Sequence, residues 1–429
     1  MELDYDPLPA VVDVDVAFAD HGPFVYPEFG SNRCYTLSYT TGDLDAAFAD
    51  ADVVVQRTLR IPRLIPSPME TRAVVAQPLP RGEFALWTST QVPHVVRRTI
   101  APCVGIPEEQ LRVIVPDVGG AFGVKLNVYA EEALMLALAR RLERPVKWIE
   151  SRSESHLAST HGRGQVQRME LAAREDGKLL AVKASMIASM GAYLQLETPG
   201  IPALGKFLCA GVYHADAYAF EVTGVFTNQT PTGAYRGVGR AEAIYAIERM
   251  MDVLAREIDV DPAEVRRRNY LPRGEKVTNA AGIPYDSVDL EATLDRALQL
   301  IGYDELRQEQ ASRRAKRHSH ELGIGIVSYV DSCGAGPSPI MALSNYRGGA
   351  WESGRVRVLS SGRIEVLAGI VPQGQGHDTV LAQITADVLG VTPDDVKVLH
   401  GDTASSPRWG GDVQLARSRG RWDGGAPRR

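Results

Sequence analysis

The chain lacks closely spaced cysteines. Its four cysteines, Cys34, Cys103, Cys209 and Cys333, lie far apart and form no C-x-x-C pair. Structural zinc sites and iron–sulfur clusters need several thiolates at short spacings. The sequence therefore predicts no iron–sulfur cluster in this chain, and the scattered thiols suit a reducing compartment. No histidine or aspartate stands at a spacing that singles out one thiol, although spacing alone leaves a catalytic or metal-bound cysteine open.

Long apolar runs and long basic runs are also missing. No window approaches about 18 uninterrupted apolar residues, and the acidic start MELDYDPLPA has no apolar core of a signal peptide. The formal net charge is −6, and the most basic segment, RRAKRHSH at 313–320, is short and typical of a solvated linker. These features predict a cytoplasmic protein whose partners are neither nucleic acid nor a membrane.

What the chain does contain is an ordinary globular composition. It has 429 residues, of which 44% are hydrophobic and 23% charged, enough for two or three domains. Strands are predicted at 83–88 and 111–115, and a half-buried strand is predicted around the alternating Leu180, Val182, Ala184 and Met186.

Two helices have clear apolar periodicity. One is predicted over 129–142, with Ala130, Leu134 and Leu138 on its apolar face. The clearest covers 240–258 before Asp261-Pro262, and its apolar stripe is typical of core packing. A polar connector is predicted over about 271–321, followed by strands at 356–359 and 364–367 and a helix at 379–389.

A weak internal repeat links the two parts of the chain. Gln91-Val92-Pro93-His94 precedes a helical run and then GIPEEQLRV, whereas Gln375-Gly376-His377 precedes a helix and then GVTPDDVKV. In both copies a polar loop enters a helix, and a turn with proline and acidic residues leads to a strand. We interpret these as two related α/β halves, which are able to hold one extended ligand between their loops.

Three glycine-rich loops are the candidate binding elements. They are DVGGAFGVK (117–125), TGAYRGVGR (232–240) and VPQGQGHDT (371–379). Glycine lets the backbone approach a ligand closely, and the second loop leads into a helix N-terminus that favours anions. Arg236 and Arg240 add cationic donors. Each loop alone is also compatible with a structural turn, and His377, without a second histidine at i+4, is interpreted as a local hydrogen-bonding residue rather than a metal ligand.

Nucleotide-binding fingerprints and a catalytic nucleophile are absent from these loops. GVGRAE lacks the third glycine of the dinucleotide-binding motif, and no GxxxxGK[ST] occurs. A generic nucleotide-binding α/β protein is therefore the weaker alternative. No nucleophile stands beside a base, which indicates that a bound cofactor performs the chemistry.

Taken together, the loops resemble the large, molybdenum-binding subunit of the xanthine dehydrogenase, aldehyde oxidoreductase and aerobic carbon monoxide dehydrogenase family. The resemblance extends to about Gly411. Its marks, in the order of the family, are VGGAFGVK, RPVKWIESRSES with HGR at 161–163, GAYRGVGR with AEAIYAIERMMDVLA, and QGQGHDT through GDT.

The resemblance implies a mixed α+β and α/β fold with two related molybdopterin-binding domains, of which the second is incomplete. It implies a molybdopterin cytosine dinucleotide whose molybdenum is held through the pterin. It also implies an iron–sulfur subunit and an FAD subunit as partners, in a dimer of heterotrimers, with no cluster or flavin in this chain. The substrate is a small molecule whose C–H bond is oxidised with oxygen from water, assisted by a base glutamate near the C-terminus of the family.

Specific residues match the positions of the family's site. Gln91, Phe122 and Arg236 match catalytic positions: the glutamine beside the apical molybdenum ligand, the loop next to that ligand and the active-site arginine. The cofactor-binding residues implied by the resemblance are Gln91, Gly120, Ala121, Phe122, Gly123, Arg236, Gly374, Gln375 and Gly376.

Two departures narrow the substrate. Gly237 stands where copper-dependent carbon monoxide dehydrogenases carry a cysteine, and Leu126 stands where purine oxidisers carry a glutamate. The resemblance therefore favours an aldehyde or an N-heterocycle over carbon monoxide or xanthine.

The resemblance also predicts domain boundaries and a truncated chain. The expected segments are a remnant of an α/β hammerhead domain (1–28), a first molybdopterin-binding domain (29–275), a connector (276–321), the start of a second such domain (322–411) and a frameshifted tail (412–429). A one-base shift in plausible codons for DVQLAR gives the family-like Thr-Phe-Ser-Ser-Arg. Without the base glutamate, the alternative is a non-catalytic remnant or assembly partner that dissolves poorly on its own.

Overall fold

The computed structural model describes residues 4–274, 277–285, 287–331 and 353–407. Its strands form three sheets and one short ribbon. The strands are β1 (Arg33–Thr41), β2 (Val53–Leu64), β3 (Ala73–Pro78), β4 (Phe84–Thr88), β5 (Leu111–Ile114), β6 (Val146–Ile149), β7 (Gly162–Ala173), β8 (Leu179–Gly191), β9 (Ala217–Phe226), β10 (Val277–Thr278), β11 (Pro284–Tyr285), β12 (Gly354–Val358), β13 (Ile364–Ala368) and β14 (Val396–Leu399).

Helices connect and cover these sheets. They are α1 (Val14–Phe18), α2 (Leu44–Ala49), α3 (Pro93–Val104), α4 (Ala130–Leu142), α5 (Arg152–Ala158), α6 (Gly200–Ala203), α7 (Gly205–Leu208), α8 (Arg240–Glu257), α9 (Pro262–Asn269), α10 (Leu290–Ile301), α11 (Tyr303–Ala315) and α12 (His377–Leu389). The predicted mixed α and β fold is confirmed. No helix in the described ranges has the length and apolar character needed to cross a membrane.

The largest core lies between a five-stranded sheet and α8. The sheet has the order β1-β9-β8-β7-β2, and only the β8–β9 pair is parallel. On α8, Ile247, Met251 and Leu254 are buried against this sheet, so the predicted core stripe is confirmed.

Strand β8 is not half-buried, as its alternation predicted. Val182, Ala184 and Met186 face the α8 side, whereas Ala181 and Ile187 on the opposite face pack near α2 and α1. The strand lies in the middle of the sheet and is covered on both faces, which the alternation of side chains alone does not reveal.

A four-stranded sheet of order β5-β4-β3-β6 carries α3 and α4 on one face. The predicted helix at 129–142 is confirmed, but its predicted face is wrong. Met135, Leu136 and Ala139 are buried, and Leu134 is exposed. The buried face is fixed partly by Glu132, whose carboxylate accepts hydrogen bonds from the Tyr129 N–H and the Thr88 hydroxyl.

The predicted internal repeat is confirmed as a repeated fold unit. In the first copy β3 pairs antiparallel with β4, α3 crosses over, a 3-10 turn follows and β5 pairs parallel with β4. In the second copy β12 pairs antiparallel with β13, α12 crosses over, a 3-10 turn follows and β14 pairs parallel with β13. Both crossover helices end at a glycine in the left-handed conformation, which is why GIPEEQ and GVTPDD occupy equivalent places.

The two units join at the edge of β5. The Val115 N–H donates to the Gly401 carbonyl at 2.7 Å, and the Thr403 N–H donates to the Val113 carbonyl at 3.0 Å. Arg112 forms an ion pair with Asp402 at 2.5 Å. The segment after β14 therefore extends the first sheet, and it brings the loop before α12 beside the first unit.

The second unit leaves apolar surface exposed. Val380, Ile384 and Val388 form a stripe on α12 and are 47%, 56% and 79% exposed. Strand β12 pairs with β13 and, within the described ranges, with no other strand. The predicted frameshifted tail (412–429) lies outside the described residues.

Candidate functional site

The three glycine-rich loops meet at one cavity of about 590 Å³. Of the nine residues implied as cofactor-binding, seven line it. They are Gln91, Ala121, Phe122, Gly123, Arg236, Gly374 and Gln375. Four further lining residues complete the described wall, namely Leu126, Ala234, Val238 and Gln373. The cavity lies where the second unit meets the first, because Val371 packs against Val115, Val118 and Ala121.

The first loop is held in an uncommon backbone conformation. Phe122 has φ +54° and is 41% exposed, and Gly123 has φ +100°. A Cβ on Gly123 would lie 2.4 Å from the Ala234 carbonyl oxygen, so only glycine lets the first and second loops touch here. The aromatic ring of Phe122 thereby reaches the cavity from a strained turn.

Gln91 is fixed from both sides just before α3. Its side-chain Oε1 accepts a hydrogen bond from the Gly123 N–H at 3.1 Å, and its own N–H donates to the Lys125 carbonyl at 2.9 Å. Pro93 occupies the first turn of α3, where its missing N–H costs nothing. Because Oε1 is used by the loop, the Gln91 amide presents Nε2 as its donor for a ligand.

An ion pair between the buried Lys125 and the partly exposed Glu70 supports the first loop. Lys125 is 1% exposed, and its Nζ lies 2.7 Å from Glu70 Oε2. The same carboxylate oxygen accepts the Gly119 N–H at 2.8 Å. Burial lowers the pKa of Lys125, and the neighbouring Glu70 carboxylate opposes that shift. The pair ties both ends of the 119–125 turn to one carboxylate.

The second loop brings a cation to the cavity. Arg236 lines it, and the Arg236 N–H donates to the Phe122 carbonyl at 2.9 Å. Arg240, the second arginine predicted to bind an anion, is not among the cavity residues and lies 2.8 Å from Asp331 in an ion pair. Arg240 therefore has a carboxylate of this chain as a partner, outside the described lining of the cavity.

The third loop presents amides and open backbone. The Gln375 Nε2 donates to Gln373 Oε1 at 2.7 Å, and Gln375 Oε1 accepts the Gln373 N–H. At Gly374 and Gly376 a Cβ would meet nothing within 4 Å, so the backbone here borders open space. Gly376 is the N-cap of α12. In the first loop, Gly120 packs beside the Phe122 ring and Pro68 rather than lining the cavity.

The histidine at the start of α12 differs from its interpretation. The buried Nδ1 of His377 has no hydrogen-bond partner among the described residues, so for this atom the predicted local hydrogen bond is wrong. Nearby, His400 Nε2 lies 3.3 Å from Asp378. Within the described ranges, histidine, cysteine, aspartate and glutamate form no group of three or more suited to a metal ion.

The electrostatics of the cavity favour a negatively charged ligand. Arg236 is the charged side chain among the described lining residues, and no carboxylate lines the cavity within that set. Amide groups and glycine backbone supply neutral donors beside it. Such a donor set binds an anionic, heteroatom-rich molecule in several places at once.

Sequence reasoning missed the residues that hold the loops. Lys125 and Glu70 support the first loop, and Arg163 contacts the second through the carbonyls of Tyr235 and Arg236. The HGR triplet at 161–163 was a visible signal. What it did not reveal is which distant loop the arginine reaches.

Comparison with protein families gives two matches. Residues 25–270 match a molybdopterin cofactor-binding domain, and residues 296–413 match a second domain of the same description. The chain is 35% identical to the carbon monoxide dehydrogenase large chain of Hydrogenophaga pseudoflava over 95% of this chain and 53% of the relative. It is 34% identical to the 6-hydroxypseudooxynicotine dehydrogenase complex subunit gamma of Paenarthrobacter nicotinovorans over 95% of this chain and 50% of the relative.

A solved structure agrees with these matches. Quinoline 2-oxidoreductase from Pseudomonas putida 86 superposes with a TM-score of 0.89 at 34% identity, covering 97% of this chain and 54% of the other. The chain thus spans about half the length of the curated relatives it matches.

Proposed function

The chain belongs to the family of molybdopterin-binding large subunits, and from this premise we propose that it binds a molybdopterin dinucleotide and serves as the large-subunit portion of a molybdenum hydroxylase. The observation that carries the proposal is the convergence of Gln91, Phe122, Arg236 and Gln375 on one cavity between two related units. These residues come from four separate stretches of the sequence, and the resemblance assigns each of them to a position of the family's site.

The residues of the cavity fit such a cofactor. A dinucleotide carries a pyrophosphate, and a pterin carries many ring heteroatoms. The Arg236 guanidinium suits the anion, whereas Gln91 and Gln375 suit the heteroatoms. The open space beside Gly374 and Gly376 lets a ligand approach the main chain without meeting a side chain. No protein ligand to molybdenum is required, since the pterin holds the metal.

When bound, the cofactor supplies a centre that oxidises a C–H bond with oxygen from water. For a substrate R–H the balance is R–H plus water giving R–OH, two protons and two electrons. The residues of the chain itself bind and orient the cofactor. Gln91 would donate from Nε2 to the bound group while the Gly123 N–H holds its Oε1, the Phe122 ring would supply an apolar wall, and Arg236 would offset negative charge.

We propose an aldehyde or an N-heterocycle as the substrate class. Leu126, Val238 and Ala234 give the cavity an apolar side. By the resemblance, Leu126 stands where purine oxidisers carry a glutamate, and Gly237 stands where copper-dependent carbon monoxide dehydrogenases carry a cysteine. Two of the similar proteins are named for N-heterocyclic compounds, quinoline and 6-hydroxypseudooxynicotine, which supports the heterocycle.

The proposal includes a wider assembly in the cytoplasm. The two electrons leave through an iron–sulfur subunit and an FAD subunit, and the cofactor is the cytosine dinucleotide. The name of one similar protein, a complex subunit gamma, supports separate partner chains. We also propose the domain division that the resemblance implies, with segments at 1–28, 29–275, 276–321, 322–411 and 412–429.

One experiment separates the hydroxylase portion from a non-catalytic remnant. The whole chain is expressed in a host that makes molybdopterin cytosine dinucleotide, purified, and analysed for molybdenum and for CMP released by acid. Stoichiometric molybdenum and CMP are expected, and GMP in place of CMP would correct the nucleotide alone. Dye reduction by quinoline or benzaldehyde, with the partner subunits co-expressed, tests catalysis. A chain without molybdenum refutes the proposal, and a loaded chain without dye reduction favours the remnant.

A further inference from the structure

Arg163 reaches from the start of β7 to the loop that carries Arg236. Its backbone has φ +67°, in the left-handed region, and its side chain is 10% exposed. Its Nη2 donates to the Arg236 carbonyl at 2.7 Å, and its Nη1 donates to the Tyr235 carbonyl at 3.3 Å. The guanidinium also lies 4.7 Å from the centre of the Tyr235 ring. One side chain thus fixes two consecutive peptide groups.

The other side of Arg236 is already fixed by the first loop. The Arg236 N–H donates to Phe122, while the Arg236 carbonyl accepts from Arg163. Both polar backbone groups of Arg236 are therefore held, by residues from two different parts of the fold. With the N–H and carbonyl fixed, the direction in which the Arg236 side chain leaves the backbone is fixed as well.

Arg163 is itself anchored by a buried carboxylate. Glu242, 2% exposed in the first turn of α8, lies 3.2 Å from Arg163 Nη1. A carboxylate is stabilised in the first turn of a helix. The rest of the HGR triplet closes the same junction. The Gly233 N–H donates to the His161 carbonyl at 2.8 Å, and a Cβ on Gly162 would lie 2.4 Å from the Tyr235 Cβ.

We infer that Arg163 is a positioning residue that sets the direction of Arg236 toward the cofactor. The inference rests on the proposed function. Arg163 does not line the cavity, whereas Arg236 does, so Arg163 acts through Arg236 rather than by touching the ligand. A positioning role predicts coupling between the two residues. Removing Arg163 should weaken cofactor retention only while Arg236 is present.

The first test needs no cofactor. Replacing Arg163 alone leaves the buried Glu242 without its partner, so the principal variant is Arg163→Gln with Glu242→Gln, which removes both charges. Hydrogen exchange of the amides at 235–238 is expected to quicken about tenfold. The control is Arg168→Gln on the same strand, whose ion pair with Asp15 lies on the surface. Unchanged exchange at 235–238 in the principal variant overturns the inference.

The second test measures how fast the loaded chain loses molybdenum during timed gel filtration. Loss is expected to be about tenfold faster in the Arg163→Gln, Glu242→Gln variant, with partial rescue by Arg163→Lys. Adding Arg236→Gln to that variant is expected to cause no loss beyond that of Arg236→Gln alone. Multiplying effects would mean a merely structural role and would overturn the inference. A parent chain that never retains molybdenum defeats the proposed function instead, and the inference with it.

Discussion

The backbone N–H of Arg236 donates a hydrogen bond to the carbonyl oxygen of Phe122 at 2.9 Å. This bond joins the first and second glycine-rich loops directly, and it places the cation and the aromatic ring of the site side by side. Val371, at the start of the third loop, packs against Val115, Val118 and Ala121 of the first unit. The site therefore depends on backbone-to-backbone contacts that particular glycines permit.

Gly123→Ala is expected to separate the first two loops. The new Cβ would lie 2.4 Å from the Ala234 carbonyl oxygen, and the backbone has φ +100°. Strain and overpacking together are expected to lower the free energy of unfolding by about 2–4 kcal/mol. Urea unfolding measures it. Gly362→Ala is the control, because Gly362 has φ +83° but open space around it, and it is expected to lose about 1 kcal/mol. An equal loss of unfolding free energy in the two variants would contradict the close contact between Gly123 and Ala234.

Arg236→Gln is expected to weaken cofactor retention about tenfold or more, because a charged donor to an anion is lost. Arg236→Lys keeps the positive charge but loses the planar guanidinium. Its cofactor retention is therefore expected to lie between that of the parent chain and that of Arg236→Gln. Molybdenum content after purification measures retention. Arg249→Gln on the surface of α8 is the control, since Arg249 pairs only with the nearby Asp252 among the ion pairs described. Normal retention in Arg236→Gln would remove Arg236 from the site.

Glu132 is expected to make stability depend on pH. Burial raises the pKa of Glu132 from 4.5 to about 7, against the hydrogen bonds from the Tyr129 N–H and Thr88 that favour its charge. The folded state holds this proton to a higher pH than the unfolded state does. The stabilisation is therefore full below pH 4.5 and is lost as the pH rises through about 7.

Glu132→Gln is expected to remove this dependence. In the parent chain the contribution of Glu132 falls by about 1–3 kcal/mol across that window, whereas an amide does not titrate. Urea unfolding at several pH values between 5 and 8 measures the slope. The exposed Glu109→Gln serves as the control and should keep the parent slope. A parent chain and a Glu132→Gln variant with the same slope would show that Glu132 is charged throughout.

The exposed stripe on α12 is expected to drive self-association of the isolated chain. Ile384 and Val388 on α12 are 56% and 79% exposed. Ile384→Glu with Val388→Glu is expected to reduce association in sedimentation velocity at rising concentration. Leu157→Glu is the control, because Leu157 is 77% exposed but belongs to a different helix, α5. A monodisperse parent chain would contradict the expectation.

The sequence predicted where helices and strands lie better than it predicted which of their faces are buried. The 240–258 pattern found α8 because its apolar residues repeat at one spacing and its ends carry glycine and Asp-Pro. On α4, apolar residues occupy several faces, so the pattern did not select the one with Met135 and Leu136. Helices α10 and α11 lie in the segment interpreted as a polar connector. The polar composition of α11 leaves little apolar periodicity, whereas Leu290, Leu294 and Leu298 of α10 do repeat at helical spacing, a signal that the connector interpretation overlooked.

The candidate site shows the same division. Glycine-rich loops are visible in a sequence because their composition is unusual, and the resemblance ordered them. The partners in ion pairs are not visible in a sequence, because Lys125–Glu70, Arg163–Glu242 and Arg240–Asp331 join residues far apart in the chain. Whether an arginine binds a ligand or a carboxylate of its own protein is decided by the folded arrangement.

The junction between the two units has a consequence for the speed of folding. The Val113 N–H donates to the Thr403 hydroxyl across 290 residues of intervening chain. Such a long loop must close before the contact contributes any energy, and contacts of this separation slow folding. The first sheet therefore gains this neighbour late, and the cavity takes its final shape only after the segment that carries Thr403 has been synthesised.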